Sequence, residues 1–171
     1  MVNRGPVLGI DPGSVATGFG IVWQKGSNNL KVVHAGVIRT SSNLAFPAKL
    51  KYLYDEISNI IHEFKPVAFA IEDVFVAKNV KSALKLGHAR ASLIMAALNS
   101  GLPVYEYSPL EIKKAVVGYG RAEKKQVQHM VSLILNLKKT YPKDASDALA
   151  VALCHIQSMQ LTKFISINVA R

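Results

Sequence analysis

The 171-residue chain carries only eleven acidic side chains, and several stand where a solvated surface charge has no evident purpose. Asp11 ends the apolar run Val7-Leu8-Gly9-Ile10, immediately before Pro12-Gly13. Glu72 and Asp73 end the apolar run Val67-Ala68-Phe69-Ala70-Ile71. Asp144 and Asp147 are three residues apart, so they share one face of a helix whose continuation is apolar. Carboxyl ends of strands are where open α/β sheets place their ligands. If the two strand-end acids face the two helix-start acids, each like-charge pair at about 4 Å costs on the order of 4 kcal/mol at a surface-like dielectric. Such a cluster requires a cation or a retained proton. Hard oxygen donors with open positions suit Mg²⁺ or Mn²⁺. Two such ions about 3.5–4 Å apart can activate water and stabilise a leaving oxygen in phosphodiester cleavage.

Taken singly, three of these acids have plainer readings. Asp11 could shape a turn with its side chain. Asp144 could be a helix N-cap, and Asp147 a first-turn charge favoured by the helix dipole. Glu72 has no such role at a strand end. Asp73 points to the opposite face of its strand and is the weaker metal candidate.

The basic residues point to a polyanionic partner. Lys and Arg number 21, giving a net charge of +10. Residues 76–143 hold twelve basic side chains and three acids, an excess of nine and nearly the whole imbalance. A charge of this size attracts nucleic acid and steers its approach, although a lysine-rich solvated surface is the plainer reading.

The elements that must position these groups follow from periodicity. Residues 6–11, 17–24 and 31–40 read as strands joined by short connections, an antiparallel meander. Leu50, Leu53, Ile57, Ile60, Ile61 and Phe64 recur at helical spacing. A buried strand over 67–72, a helix over 79–100 and a strand over 104–107 follow. Ser108-Pro109-Leu110-Glu111 is a capping box with Pro at the first helical position. A helix over 122–137 precedes a last helix opened by Pro142, and the tail from 162 shows no clear period. The class is α/β, a mixed five-stranded sheet flanked by helices, in one domain spanning 1–171 with the part after about 158 left open.

The motifs resemble the RuvC family of crossover junction endodeoxyribonucleases. The likeness is carried by Gly9-Ile10-Asp11-Pro12-Gly13 with Thr17-Gly18-Phe19-Gly20, and by Ala70-Ile71-Glu72 with Val74-Phe75 and Lys78-Asn79. It continues through Ser82-Ala83-Leu84, Lys113, Gly118-Tyr119-Gly120, Ala122-Glu123-Lys124 and 144–150. It covers roughly residues 6–155. The resemblance implies an RNase H-like fold, a homodimer, and paired Mg²⁺-dependent nicking of four-way (Holliday) DNA junctions in recombination and repair, with two ions per subunit and Mn²⁺ as a substitute. It implies Asp11, Glu72, Asp144 and Asp147 as metal ligands, and Lys113 and Lys124 as catalytic cations around the cut phosphate. Phe75 matches an aromatic that stacks on a base. Lys78, Asn79, Arg90, Lys114, Tyr119, Arg121 and Lys125 are further DNA-contact candidates. Partners by resemblance are junction DNA and the RuvA and RuvB proteins of the same pathway. The chain departs from the family pattern at His88 and Ala91, where Gln and Gly are usual, and at Ser146, where Ala is common.

Two other classes fit parts of the sequence. The 9–13 segment with Thr17-Gly18 also resembles the phosphate loop of actin-like kinases, which need a second related domain. A junction-binding module without catalysis would make the acids dispensable. The single cysteine, Cys154, excludes an intramolecular disulfide and a cysteine-based zinc site. The five histidines lack metal-ligand spacing. No apolar run reaches the roughly 18 residues of a membrane span, and residues 1–13 do not read as a secretory signal. A reduced, cytoplasmic setting is the expectation.

Overall fold

The computed structural model describes residues 5–26, 29–73 and 79–169, the last seven as backbone alone. The strands are β1 (Pro6–Asp11), β2 (Ala16–Gln24), β3 (Leu30–Arg39), β4 (Ala68–Glu72) and β5 (Val104–Tyr107). The helices are α1 (Phe46–Phe64), α2 (Val80–Asn99), α3 (Pro109–Val117), α4 (Lys124–Ile134) and α5 (Lys143–Val169). The strands form one sheet in the order β3-β2-β1-β4-β5. The first three are antiparallel, while β4 and β5 run parallel to β1. This is the mixed sheet expected from the meander followed by strand–helix–strand.

Alternation along the strands divides the core in two. Leu8 and Ile10 of β1 and Phe69 and Ile71 of β4 pack with α1 and α2. Val7, Ala68 and Ala70 face the other way, against α3, α4 and α5. The same parity sends Asp11 and Glu72 to the α5 face. The parallel register sets Ile10 beside Ile71, so the next residue on each strand is an acid, and the two acids end up as neighbours.

Helix α5 is buried on nearly all sides from Ala145 to Ile156, as a helix enclosed by a sheet and two other helices must be. It lies directly on the strands because glycines make room. A Cβ at Gly9 would overlap the backbone of Ala148 and Ala152, and one at Gly18 would overlap the carbonyl of Asp144. The close seat brings the acid-bearing first turn of α5 down onto the sheet beside Asp11.

Two boundaries differ from the sequence expectation. Helix α4 stops at Ile134, where Leu135 caps it and Asn136 takes a left-handed φ of 47°, a conformation Asn tolerates. Helix α5 runs on through the tail to Val169 because 143–169 contains neither Gly nor Pro. Gly9→Ala is expected to cost about 2–4 kcal/mol in urea unfolding, since the obstacle is helix backbone that cannot repack.

Candidate active site

Asp11 reaches the site because another residue holds the turn that follows it. The Thr17 hydroxyl donates to the Gly13 carbonyl at 2.7 Å and accepts from the Gly13 N–H at 3.3 Å. Thr17 is fully buried. The Pro12-Gly13 turn is therefore closed by Thr17, and the Asp11 carboxyl is left for the pocket.

Asp11 and Glu72 share a hydrogen bond, and Asp147 lies close enough to repel both. Burial, helped by the charges of Glu72 and Asp147, pushes the Asp11 carboxyl up to about 8. Burial also raises Glu72, although the hydrogen bond from Asp11 and the charges of Lys124 and Lys113 work against it. The direction for the pair is one retained proton, carried by Asp11 and given in a hydrogen bond to Glu72.

Asp147 comes from the first turns of α5 and is reached by two side chains of α4. Lys124 Nζ stands 2.7 Å from its Oδ2, and Gln128 Nε2 donates to its Oδ1 at 3.3 Å. Lys124 and Gln128 are four apart and share a helix face. Burial opposes the Lys124 charge, but the bond to Asp147 and the nearby Asp11 and Glu72 raise its pKa overall. Asp147 Oδ2 is shielded from water and meets this ammonium at ion-pair distance without an aligned hydrogen bond. Asp144 lies inside the first turn of α5, half-buried, so it is not the cap residue.

The structure thus brings Asp11, Glu72, Asp147 and Lys124 together, with Lys113 near Glu72 and Asp144 adjoining on the same helix face. Among the described residues, no three carboxylate, imidazole or thiol side chains converge closely enough to hold an ion as they stand. The donor set nevertheless suits a hard divalent cation. It offers carboxylate oxygens alone, and a proton and the Lys124 ammonium occupy the place where positive charge is needed.

Other sequence candidates are placed as follows. Arg90 is tied behind the site: its Nε donates to the Glu72 carbonyl at 3.2 Å, and its guanidinium pairs with Asp73 and Glu106. Its place is the brace at the carboxyl end of β4. Asn79 accepts from Ser82 N–H and caps α2. Tyr119 donates to Gln126 at 3.3 Å, and Gln126 also accepts from the Glu123 N–H. Lys114, Arg121 and Lys125 are exposed on the α3–α4 side. Phe75 and Lys78 lie outside the described residues. Gln128 and Thr17 lie within the motifs that carry the resemblance, Thr17-Gly18-Phe19-Gly20 and Gln126-Val127-Gln128, and the structure adds them to the candidate site residues.

A mixed sheet with acids at the ends of two neighbouring strands, β1 and β4, facing an acid-bearing helix, is the RNase H-like architecture expected from the sequence. The RuvC model, described as crossover junction endodeoxyribonuclease RuvC, matches residues 7–155. A relative of that name from Citrifermentans bemidjiense is 53% identical over 152 residues, covering 89% of this chain and 92% of the relative. One from Vibrio cholerae is 56% identical over 149 residues, covering 87% and 85%. The structure of Thermus thermophilus RuvC in complex with Holliday junction substrate superposes with a TM-score of 0.87 at 34% identity, over 92% of this chain and 96% of that one. A yeast mitochondrial Holliday junction resolvase shares the fold, with a TM-score of 0.66 at 16% identity over 88% and 77%. The chain belongs to the RuvC family of crossover junction endodeoxyribonucleases.

The raised Asp11 carboxyl has a stability consequence. A carboxyl whose folded pKa is about 8 contributes stability below its ordinary value near 3.8 and loses it as pH rises toward 8. In the metal-free protein, Asp11→Asn is expected to raise the melting temperature at pH 8 by several degrees, for about 1–3 kcal/mol. The gain should vanish near pH 4, as a calorimetric pH series would show.

Proposed function

We propose that the chain cuts four-way DNA junctions by paired, divalent-metal-dependent hydrolysis of one phosphodiester in each of two strands. The observation that carries this reading is the Asp11–Glu72–Asp147 cluster, which keeps a proton and a lysine in place of missing positive charge. Asp11, Glu72, Asp144 and Asp147 would hold the metal, taken as two Mg²⁺ per subunit with Mn²⁺ as a substitute. Bound there, the ions supply water activation and stabilisation of the leaving oxygen. The protein's own part is to orient and to balance charge. Asp11 sits centrally and would give up its proton where a cation takes over the charge balance. Lys124 would then be free of Asp147 to pair with a phosphate oxygen. Lys113, on α3 beside Glu72, supplies a second cation on the same side. The exposed Lys114, Arg121 and Lys125 extend the phosphate-binding surface. Phe75 is retained as the base-stacking residue.

A junction with two-fold symmetry calls for two sites, hence a homodimer. Helix α2 supports this with an exposed stripe of Val80, Leu84, Met95 and Leu98, between which lie Gly87 and Ala91 at the same helical spacing. An added Cβ at Gly87 meets nothing within 4 Å in the isolated subunit. Ala91 in place of the family's Gly leaves this stripe small-sided. RuvA and RuvB are the partners the resemblance supplies, and a cytoplasmic setting is taken from the same resemblance.

The decisive test incubates the protein with a labelled four-way junction, a linear duplex and an RNA–DNA hybrid, with and without Mg²⁺. Cutting confined to the junction and to Mg²⁺ is the expected result, and metal-independent or structure-blind cutting would refute it. Glu72→Gln should lower cutting by at least 10³-fold while junction affinity changes less than threefold, because affinity comes from the lysines. Leu84→Glu should shift the protein from dimer to monomer in light scattering and uncouple the two nicks.

A further inference from the structure

Beside the carboxylates lies a cavity of about 380 Å³ between the end of α4, the 135–142 connection and the first turn of α5. Lys138, Lys139 and Lys143 line it, with Thr140 and Ser132 adding hydroxyls. No carboxylate is among its lining residues, and none of the three lysines forms an ion pair among the described residues. Lys139 is steadied with its ammonium 5.0 Å from the centre of the Tyr141 ring. Lys143 and Ser146, from the start of α5, line the same space, and the helix dipole adds to the positive potential there. Three uncompensated cations around hydroxyls in one concave site make an anion site.

The cavity shares a wall with the acidic cluster. Gln128 lines it while donating to Asp147 at 3.3 Å, and Ser146, the residue before Asp147, lines it as well. An anion here would be held one side chain away from the site of cutting, which fits a polymer with regularly repeated negative charges. We propose that this cavity binds a backbone phosphodiester of the cut DNA strand, close along the strand to the phosphate being cleaved, and so fixes the strand's register over the carboxylates. The assignment rests on the proposed nuclease reading and adds to it a second contact point. Lys138, Lys139 and Lys143 are then the residues that position the strand, and Gln128 couples that contact to Asp147.

The test compares the wild type with K139A/K143A and K139Q/K143Q in junction binding without divalent ions from 50 to 200 mM salt. The slope of log affinity against log salt should fall by about 1–2 in both variants, one for each lost phosphate contact. Single methylphosphonates are then walked along the strand around the cut. The wild type should lose about tenfold in affinity at one or two positions, and the variants should be insensitive there while keeping their response elsewhere. An unchanged slope would overturn the proposal because no phosphate contact was lost, and so would a variant weakened equally at every position, since exposed lysines adding only to the general field behave that way. Repeating the walk on a linear duplex separates the two claims. A wild type that does not prefer junctions refutes the proposed function, whereas a position-specific phosphate effect lost in the variants still supports the cavity. Exposed lysines leave the fold intact, and equal melting temperatures confirm it.

Discussion

The structure is organised around acids that repel one another in a half-buried place. Asp11, Glu72 and Asp147 cannot all be charged together without a cation between them. The chain meets this constraint with a proton shared by Asp11 and Glu72 and with the ammonium of Lys124 against Asp147. Both can leave. A proton is lost to solvent, and a half-exposed lysine swings away. The site is thereby kept folded yet ready for a stronger source of positive charge.

Rigid elements set that arrangement. Parallel pairing of β1 and β4 puts Asp11 and Glu72 side by side, and strand parity aims both at α5. Arg90 holds the end of β4 from behind by gripping the Glu72 carbonyl, Asp73 and Glu106. Thr17 closes the turn beyond β1. None of these side chains belongs to the acid cluster. They fix the backbone from which the acids project, so the cluster's own bonds, Asp11 to Glu72 and Lys124 and Gln128 to Asp147, form on side chains that the backbone has already placed.

Much of this is legible in the chain. Acids at the ends of two apolar strands, with two more at a helix start, point to one shared pocket, and the structure brings Asp11, Glu72 and Asp147 together. The five strands and the capping box at Ser108 are likewise local signals that tertiary context left intact. What local pattern could not give was partnership. Arg90 reads as a DNA contact because a cation on a helix shows its charge but not its partners, which lie at the ends of β4 and on β5. Asn79 carries a cap signal that is readable only once the start of α2 is known. Lys138, Lys139 and Lys143 count toward net charge, and only the folded connection between α4 and α5 shows that they surround one space.

The glycines under α5 have an implication for how such a chain diverges. Strands are ordinarily made sturdier by exchanging glycine for β-branched residues, and heat-adapted proteins have that route open at most sheet positions. Here Gly9 and Gly18 carry the helix whose first two turns bear Asp144 and Asp147. Any bulkier residue would lift those turns by the thickness of a methyl group and spread the acids apart. Thermal hardening of this scaffold is better sought on its other face, against α1, away from both the glycines that seat α5 and the Arg90 brace on α2.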